Sequence, residues 1–257
     1  MRYEIRAMSA GEILDTGLRL VRTHFVPLVG ISAIVNVPLS VLQSVLGNDA
    51  TASADAMSPT AMALAIVTLL GFVVVAPIVQ TAITVLLGDV YLGRETSIGA
   101  AFRQSLAIVF PVLGTSMLAG LIAIPAFVAL LIPGIWFALG LSVLSPVMIL
   151  ERRFGMSAIR RSLTLVAGNR LRALGIGVIV TVLSVALAAG FGWAGGASPW
   201  LGGLAVGLAA SVTSAFAAAV FVVFYFEIRS RKEAFEIDDL SRLLGSLPAR
   251  RPPPTGA

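Results

Sequence analysis

The chain has 257 residues, of which 58% are hydrophobic and 12% charged, against about 25% charged in ordinary soluble domains. The formal charge is +5, yet its arginines sit in short segments beside apolar runs, which excludes nucleic acid as their natural partner and points to membrane topology and anionic lipid. There is no cysteine, so disulfides and thiolate chemistry are excluded.

The amino-terminal segment, residues 1–24, reads as a cytoplasmic amphipathic helix. Ser9-Ala-Gly-Glu12 fits a capping box, Asp15 and Arg19 are spaced for an i,i+4 pair, and Leu14, Leu18 and Val21 form one apolar stripe. Stripe and basic flank together predict a helix lying in the interface or packed on the end of the bundle. The run Phe25–Leu46 is the first predicted span. It exceeds the roughly 7–15 apolar residues of a signal sequence, so it reads as a retained helix. It carries Asn36, Pro38 and Gln43.

The second span, Ala61–Tyr91, would be about 46 Å long as a straight helix, so it must tilt, kink at Pro77 or protrude. Gln80 lies just after that proline. Ile108–Leu131 and Ile135–Leu150 are the third and fourth spans, joined through the uncharged turn Ile132-Pro133-Gly134. Glu151–Arg172 follows with six arginines in 22 residues: Arg152, Arg153, Arg160, Arg161, Arg170 and Arg172. The fifth span is Ala173–Phe191 and the sixth Leu201–Phe226, with glycines at Gly202, Gly203 and Gly207 suited to close helix packing. The membrane domain thus occupies residues 25–228. Residues 229–257 form a cytoplasmic tail, with a short amphipathic helix around Leu240, Leu243 and Leu244 and a disordered end after about residue 247.

The fold class is therefore all-α: six transmembrane helices with three amphipathic cytoplasmic helices. Every basic residue lies in the amino terminus, the Gly93–Gln104 connection, the Glu151–Arg172 connection or the tail, and the other connections have none. An arginine costs about 2.5–3.5 kcal/mol at the centre of an inserted helix, so these segments and both termini are placed in the cytoplasm. A three-fold internal repeat follows from superposing the cytoplasmic segments. Leu14, Leu18 and Val21 match Phe102, Leu106 and Val109, and then Ile159, Leu163 and Val166. Pro27-Leu-Val-Gly30 matches Pro111-Val-Leu-Gly114 and Arg172-Ala-Leu-Gly175. A single lysine, Lys232, among 18 basic residues, with abundant alanine and glycine, suggests a GC-rich bacterial genome and hence a bacterial cytoplasmic membrane.

Three stretches carry a family resemblance: Ser9-Ala-Gly-Glu-Ile-Leu-Asp15 with Arg22 and Phe25; Leu131-Ile-Pro-Gly-Ile-Trp136 through Pro146 to Glu151; and Tyr225-Phe-Glu-Ile-Arg-Ser-Arg-Lys-Glu233. They resemble the bacterial membrane domain found fused to glycerophosphodiester phosphodiesterases. The resemblance implies a six-span module of undefined function that often stands alone. No catalytic domain follows the last span in this sequence, so phosphodiesterase activity is not expected.

No residue set supports an enzyme or a cofactor. Metal-dependent phosphodiester hydrolysis needs several carboxylates with histidine around a metal, and the one histidine, His24, sits at the mouth of the first span. There is no nucleophile elbow and no phosphate-binding glycine loop. The expected function is a non-catalytic accessory or scaffold that contacts anionic lipid or a cytosolic protein through Arg152, Arg153, Arg160, Arg161, Arg170 and Arg172. The alternative is a small-solute or lipid path past Asn36, Gln43 and Gln80, the polar residues nearest mid-membrane depth. Asp89, Glu151 and Glu227 are expected at the cytoplasmic ends of spans, within reach of water.

Overall fold

The computed structural model describes residues 8–52, 58–91, 98–129, 131–196 and 198–246. The described residues are almost entirely helical, and five helical stretches are long and apolar enough to cross a membrane: Phe25–Gly47, Val109–Phe127, Ile132–Leu150, Arg170–Ala194 and Pro199–Lys232. The order is α1 (Ala10–Thr23), α2 (Phe25–Ala52), α3 (Pro59–Leu70), α4 (Ala76–Tyr91), α5 (Ile98–Ala107), α6 (Val109–Ala129), α7 (Leu131–Gly140), α8 (Leu144–Leu150), α9 (Met156–Val166), α10 (Arg170–Ala194) and α11 (Pro199–Ser246).

The second expected span is a continuous helical path from Pro59 to Tyr91, divided by a π-helical turn over Gly71–Val75. The cause is Pro77. A proline has no amide to donate and its ring crowds the carbonyl four residues earlier, and a wider turn just upstream relieves both problems. Ala76 accordingly bonds back to Gly71 O. The fourth expected span is broken outright. Leu141–Val143 leave the helix, Val143 has φ −108° and ψ 18°, and α8 restarts beyond them.

α11 is the spine of the fold. α2 runs antiparallel along it through a line of small residues. A Cβ on Gly203 would stand 2.6 Å from Val41 Cα, and one on Gly207 2.7 Å from Val37 Cα. Both contacts are with backbone, so only glycine allows this approach. Beside that line, Ser32 and Ser214 share a short hydroxyl hydrogen bond, and Asn36 Nδ2 donates to both, at 3.2 and 3.3 Å. α11 runs without interruption to Ser246, past Leu240, Leu243 and Leu244, where a separate short helix was expected. No proline or glycine interrupts residues 208–244 to stop it. The disordered end expected after residue 247 lies outside the described residues, as do residues 1–7.

α1, α5 and α9 cover the three segments expected to be amphipathic; α9 buries Ile159 and Val166 of its expected stripe with Leu163 packed beside them, whereas α1 and α5 turn Leu18 and Leu106 outward. In α1 the buried residues are Ile13, Gly17, Leu20 and Val21, while Leu18 is 47% exposed. In α5, Ala101 and Ser105 are buried and Leu106 is exposed. In α9, Ala158, Ile159, Ser162, Leu165 and Val166 are buried. The contact line follows the smallest side chains. A Cβ on Gly17 would meet Val220 Cγ2 at 2.6 Å and its Cα at 3.2 Å, so α1 and α11 close on the glycine and turn Leu18 away. α1 is thereby packed on the bundle. Its amino terminus is held by the expected capping box, with Ser9 N donating to Glu12 Oε2 at 2.7 Å and Glu12 N to Ser9 Oγ at 3.3 Å.

Candidate functional site at the basic end of the bundle

The arginine-rich connection folds around two carboxylates. Glu151 caps the carboxyl end of α8. The chain then turns through Arg152 at φ +51° and Gly155 at φ +64°, left-handed conformations that reverse it into α9. Gly155 N donates to Thr115 Oγ1 on α6 at 2.7 Å, which anchors the turn. The Glu151 side chain is 8% exposed; it accepts from Arg161 Nε at 3.0 and 3.1 Å and from the Tyr225 hydroxyl at 3.0 Å, and Arg153 Nε lies 3.3 Å away. Arg229 in turn donates to the Tyr225 hydroxyl at 2.9 Å.

Glu227, half a turn beyond Tyr225 on α11, is fully buried. Arg172 Nη1 donates to both its oxygens, at 3.2 and 3.3 Å, and Arg231 Nε makes a short ion pair with it. Met8 N donates to it at 3.4 Å, and Met8 O accepts from both Arg172 and Arg231. The start of α1, the start of α10 and the middle of α11 therefore meet on one carboxylate. Water does not solvate Glu227 as its place near a span end suggested; two guanidinium groups and a backbone amide do. A buried carboxylate is tolerable only with such compensation.

The six arginines thus fall into different roles. Arg161 and Arg172 are bound to buried carboxylates, and Arg153, 53% exposed, lies on the rim of the same cluster. Arg170 stacks on Trp136, its guanidinium carbon 4.8 Å from the ring centroid. Arg152 and Arg160 are exposed, and among the described residues neither has an ion-pair partner. Arg153, Arg160 and Arg161 line an open groove of about 530 Å³ with Met156, Ser157 and Thr164. Lys232, from α11, donates to Thr164 O at its edge. Among the described residues no three carboxylate, histidine or cysteine side chains converge. The chemistry on offer is anion binding by guanidinium groups.

The polar residues of the alternative path are not gathered in one place. Asn36 is engaged with Ser32 and Ser214 on the α2–α11 contact. Gln43 lies further along α2, where it lines a groove of about 650 Å³ with Ser40, Ser44, Ser198 and Gly202 and approaches Thr68 Oγ1 at 3.5 Å. Gln80 is on α4 and lines neither groove; its carbonyl accepts from Thr84 Oγ1 at 2.7 Å.

Glu151 and Glu227, which organise the arginines of this end, were expected only as water-accessible acids at the ends of spans. Their signal was present: each is a lone acid at the end of an apolar run inside a cluster of arginines. No protein-family model, curated protein or solved structure matches this chain.

Proposed function

We propose that the chain is a non-catalytic integral membrane accessory or scaffold module, seated in a bacterial cytoplasmic membrane with both termini inside. In this reading its exposed arginines hold phosphate groups of anionic lipid. The carrying observation is Arg160, exposed between Arg153 and Arg161 in one groove and without an ion-pair partner among the described residues, while the neighbouring arginines are occupied by Glu151 and Glu227. An arginine near an anionic surface contributes about 1 kcal/mol before screening, so such a groove favours a charged headgroup over a zwitterionic one.

The repeat belongs to the same reading. In its alignment Ile13, Ala101 and Ala158 are equivalent, as are Gly17, Ser105 and Ser162, and all six are buried. A small residue thus lies at the centre of each copy's contact face, which supports three copies of a packed helix followed by a helical hairpin. The resemblance to the membrane domain of glycerophosphodiester phosphodiesterases is part of this proposal and assigns no catalysis to it.

The test uses the purified protein and an Arg152→Gln/Arg160→Gln variant, neither residue being bound to a buried carboxylate. Adding phosphatidylglycerol should raise the melting temperature of the parent more than phosphatidylcholine does, and the variant should lose most of that difference. Equal responses of parent and variant to the two lipids would remove lipid binding from this groove. If an affinity-purified cytosolic protein were then lost from the variant alone, the groove would be a protein-docking surface.

A further inference from the structure

We infer that the α6–α7 hairpin does not cross the bilayer: it enters from the arginine-bearing side, turns within the hydrocarbon and returns, so that its exposed apolar surface contacts the acyl chains of that leaflet. The carrying geometry is Arg170 on Trp136. Arg170 is the first residue of α10, a helix of 25 residues and about 36 Å, long enough to cross a hydrocarbon core of roughly 30 Å. Its guanidinium marks the basic membrane surface. Trp136 is five residues into α7, only about 7.5 Å of helix from the turn that joins it to α6. A hairpin whose turn reached the far surface would carry Trp136 most of the way across the bilayer from Arg170. The gap would be more than the two side chains can bridge.

Two further ties hold the hairpin to the same side. Thr115, on the ascending arm, accepts from Gly155 N in the arginine-rich connection. Gly140, at the end of the descending arm, has its carbonyl bonded at 2.7 Å by the buried hydroxyl of Ser162 on α9. The break at Leu141–Val143 supplies the bend. Beyond it α8 runs beside α4, with Ser145 Oγ 3.2 Å from Thr84 Oγ1 and Leu150 packed on Gly88, whereas α7 before it packs against α6, α9 and α10. Freed carbonyls at membrane depth are permitted only where protein covers them, and Ser162 covers this one. At the turn, a Cβ on Gly134 would stand 2.8 Å from Phe127 Cα, so the two arms close tightly. Phe110, Met117, Leu121, Ile124 and Ile132 remain exposed along it, an apolar surface that has lipid as its solvent.

Because the chain has no cysteine, pairs can be introduced cleanly for spin labels. Ile132→Cys, Arg160→Cys and Trp200→Cys are all at exposed positions, so folding should survive each change. In proteoliposomes the 132–160 distance should be shorter than the 160–200 distance by about 10 Å or more, a third of the hydrocarbon thickness. Equal distances would overturn the inference. So would reaction of Ile132→Cys with an impermeant maleimide from the face that labels Trp200→Cys. Labelling of Trp200→Cys alone from that face supports it.

Discussion

Replacing Gly207 by alanine tests the claim that α2 and α11 are held by backbone approach. The new methyl would lie 2.7 Å from Val37 Cα and 3.2 Å from Asn36 O, against an ordinary carbon–carbon separation of about 3.5–4.0 Å. Neither neighbour is a rotatable side-chain end, so the helices must part by roughly 1 Å. Overpacking of this kind costs about 1–3 kcal/mol. The parting also stretches the Asn36–Ser214 bond, already 3.3 Å, and interhelical bonds of that sort are worth about 0.6 kcal/mol. Alanine returns about 0.5–1 kcal/mol through its better helix propensity. Gly190 in α10 is the control, because a methyl there meets nothing within 4 Å and only the propensity gain applies. In thermal unfolding of the purified protein, Gly207→Ala should melt below Gly190→Ala by about 4–8 °C, the shift expected for roughly 2 kcal/mol in a chain of this size. Melting temperatures within a degree or two of each other would refute the reasoning.

Other substitutions separate the roles of the charged end. Glu227→Ala leaves Arg172 and Arg231 facing each other without their shared anion, and should cost about 3–5 kcal/mol in unfolding measurements; it should also expose residues near Met8 to protease earlier than in the parent. Arg161→Gln removes the principal partner of nearly buried Glu151 and should destabilise the protein, while Arg160→Gln should leave the unfolding free energy within about 0.5 kcal/mol of the parent's. Ser162→Ala strips the cover from Gly140 O at the break and should cost about 1–3 kcal/mol, whereas Ser157→Ala, on the exposed face of the same helix, should be close to neutral. Ser9→Ala removes one half of the capping box and should cost about 0.5–2 kcal/mol, read as faster amide exchange in the first turn of α1.

Much of this protein was legible from residues alone because the information was local. Run length against bilayer thickness marks the membrane class, and Pro77 foretells a distortion near it, found as the π turn over Gly71–Val75. Ser9 and Glu12 are three residues apart, so their capping box needs no tertiary context. Gly203 and Gly207 are one helical turn apart, which suffices to mark a packing face. What residues alone misjudged depends on partners distant in sequence. In α1 the expected stripe Leu14, Leu18 and Val21 and the buried set Ile13, Leu20 and Val21 are similarly apolar, so apolarity alone does not choose between them. The packing does: Gly17 closes on Val220, which buries Ile13 and Leu20 and turns Leu18 outward. Six arginines announce a basic loop, but their division into bound and exposed depends on Glu151 and on Glu227, which lies 55 residues beyond Arg172. Only the folded chain brings those carboxylates within 3.3 Å of the arginines that hold them, and only there do Arg152 and Arg160 stand apart as exposed and without an ion-pair partner among the described residues.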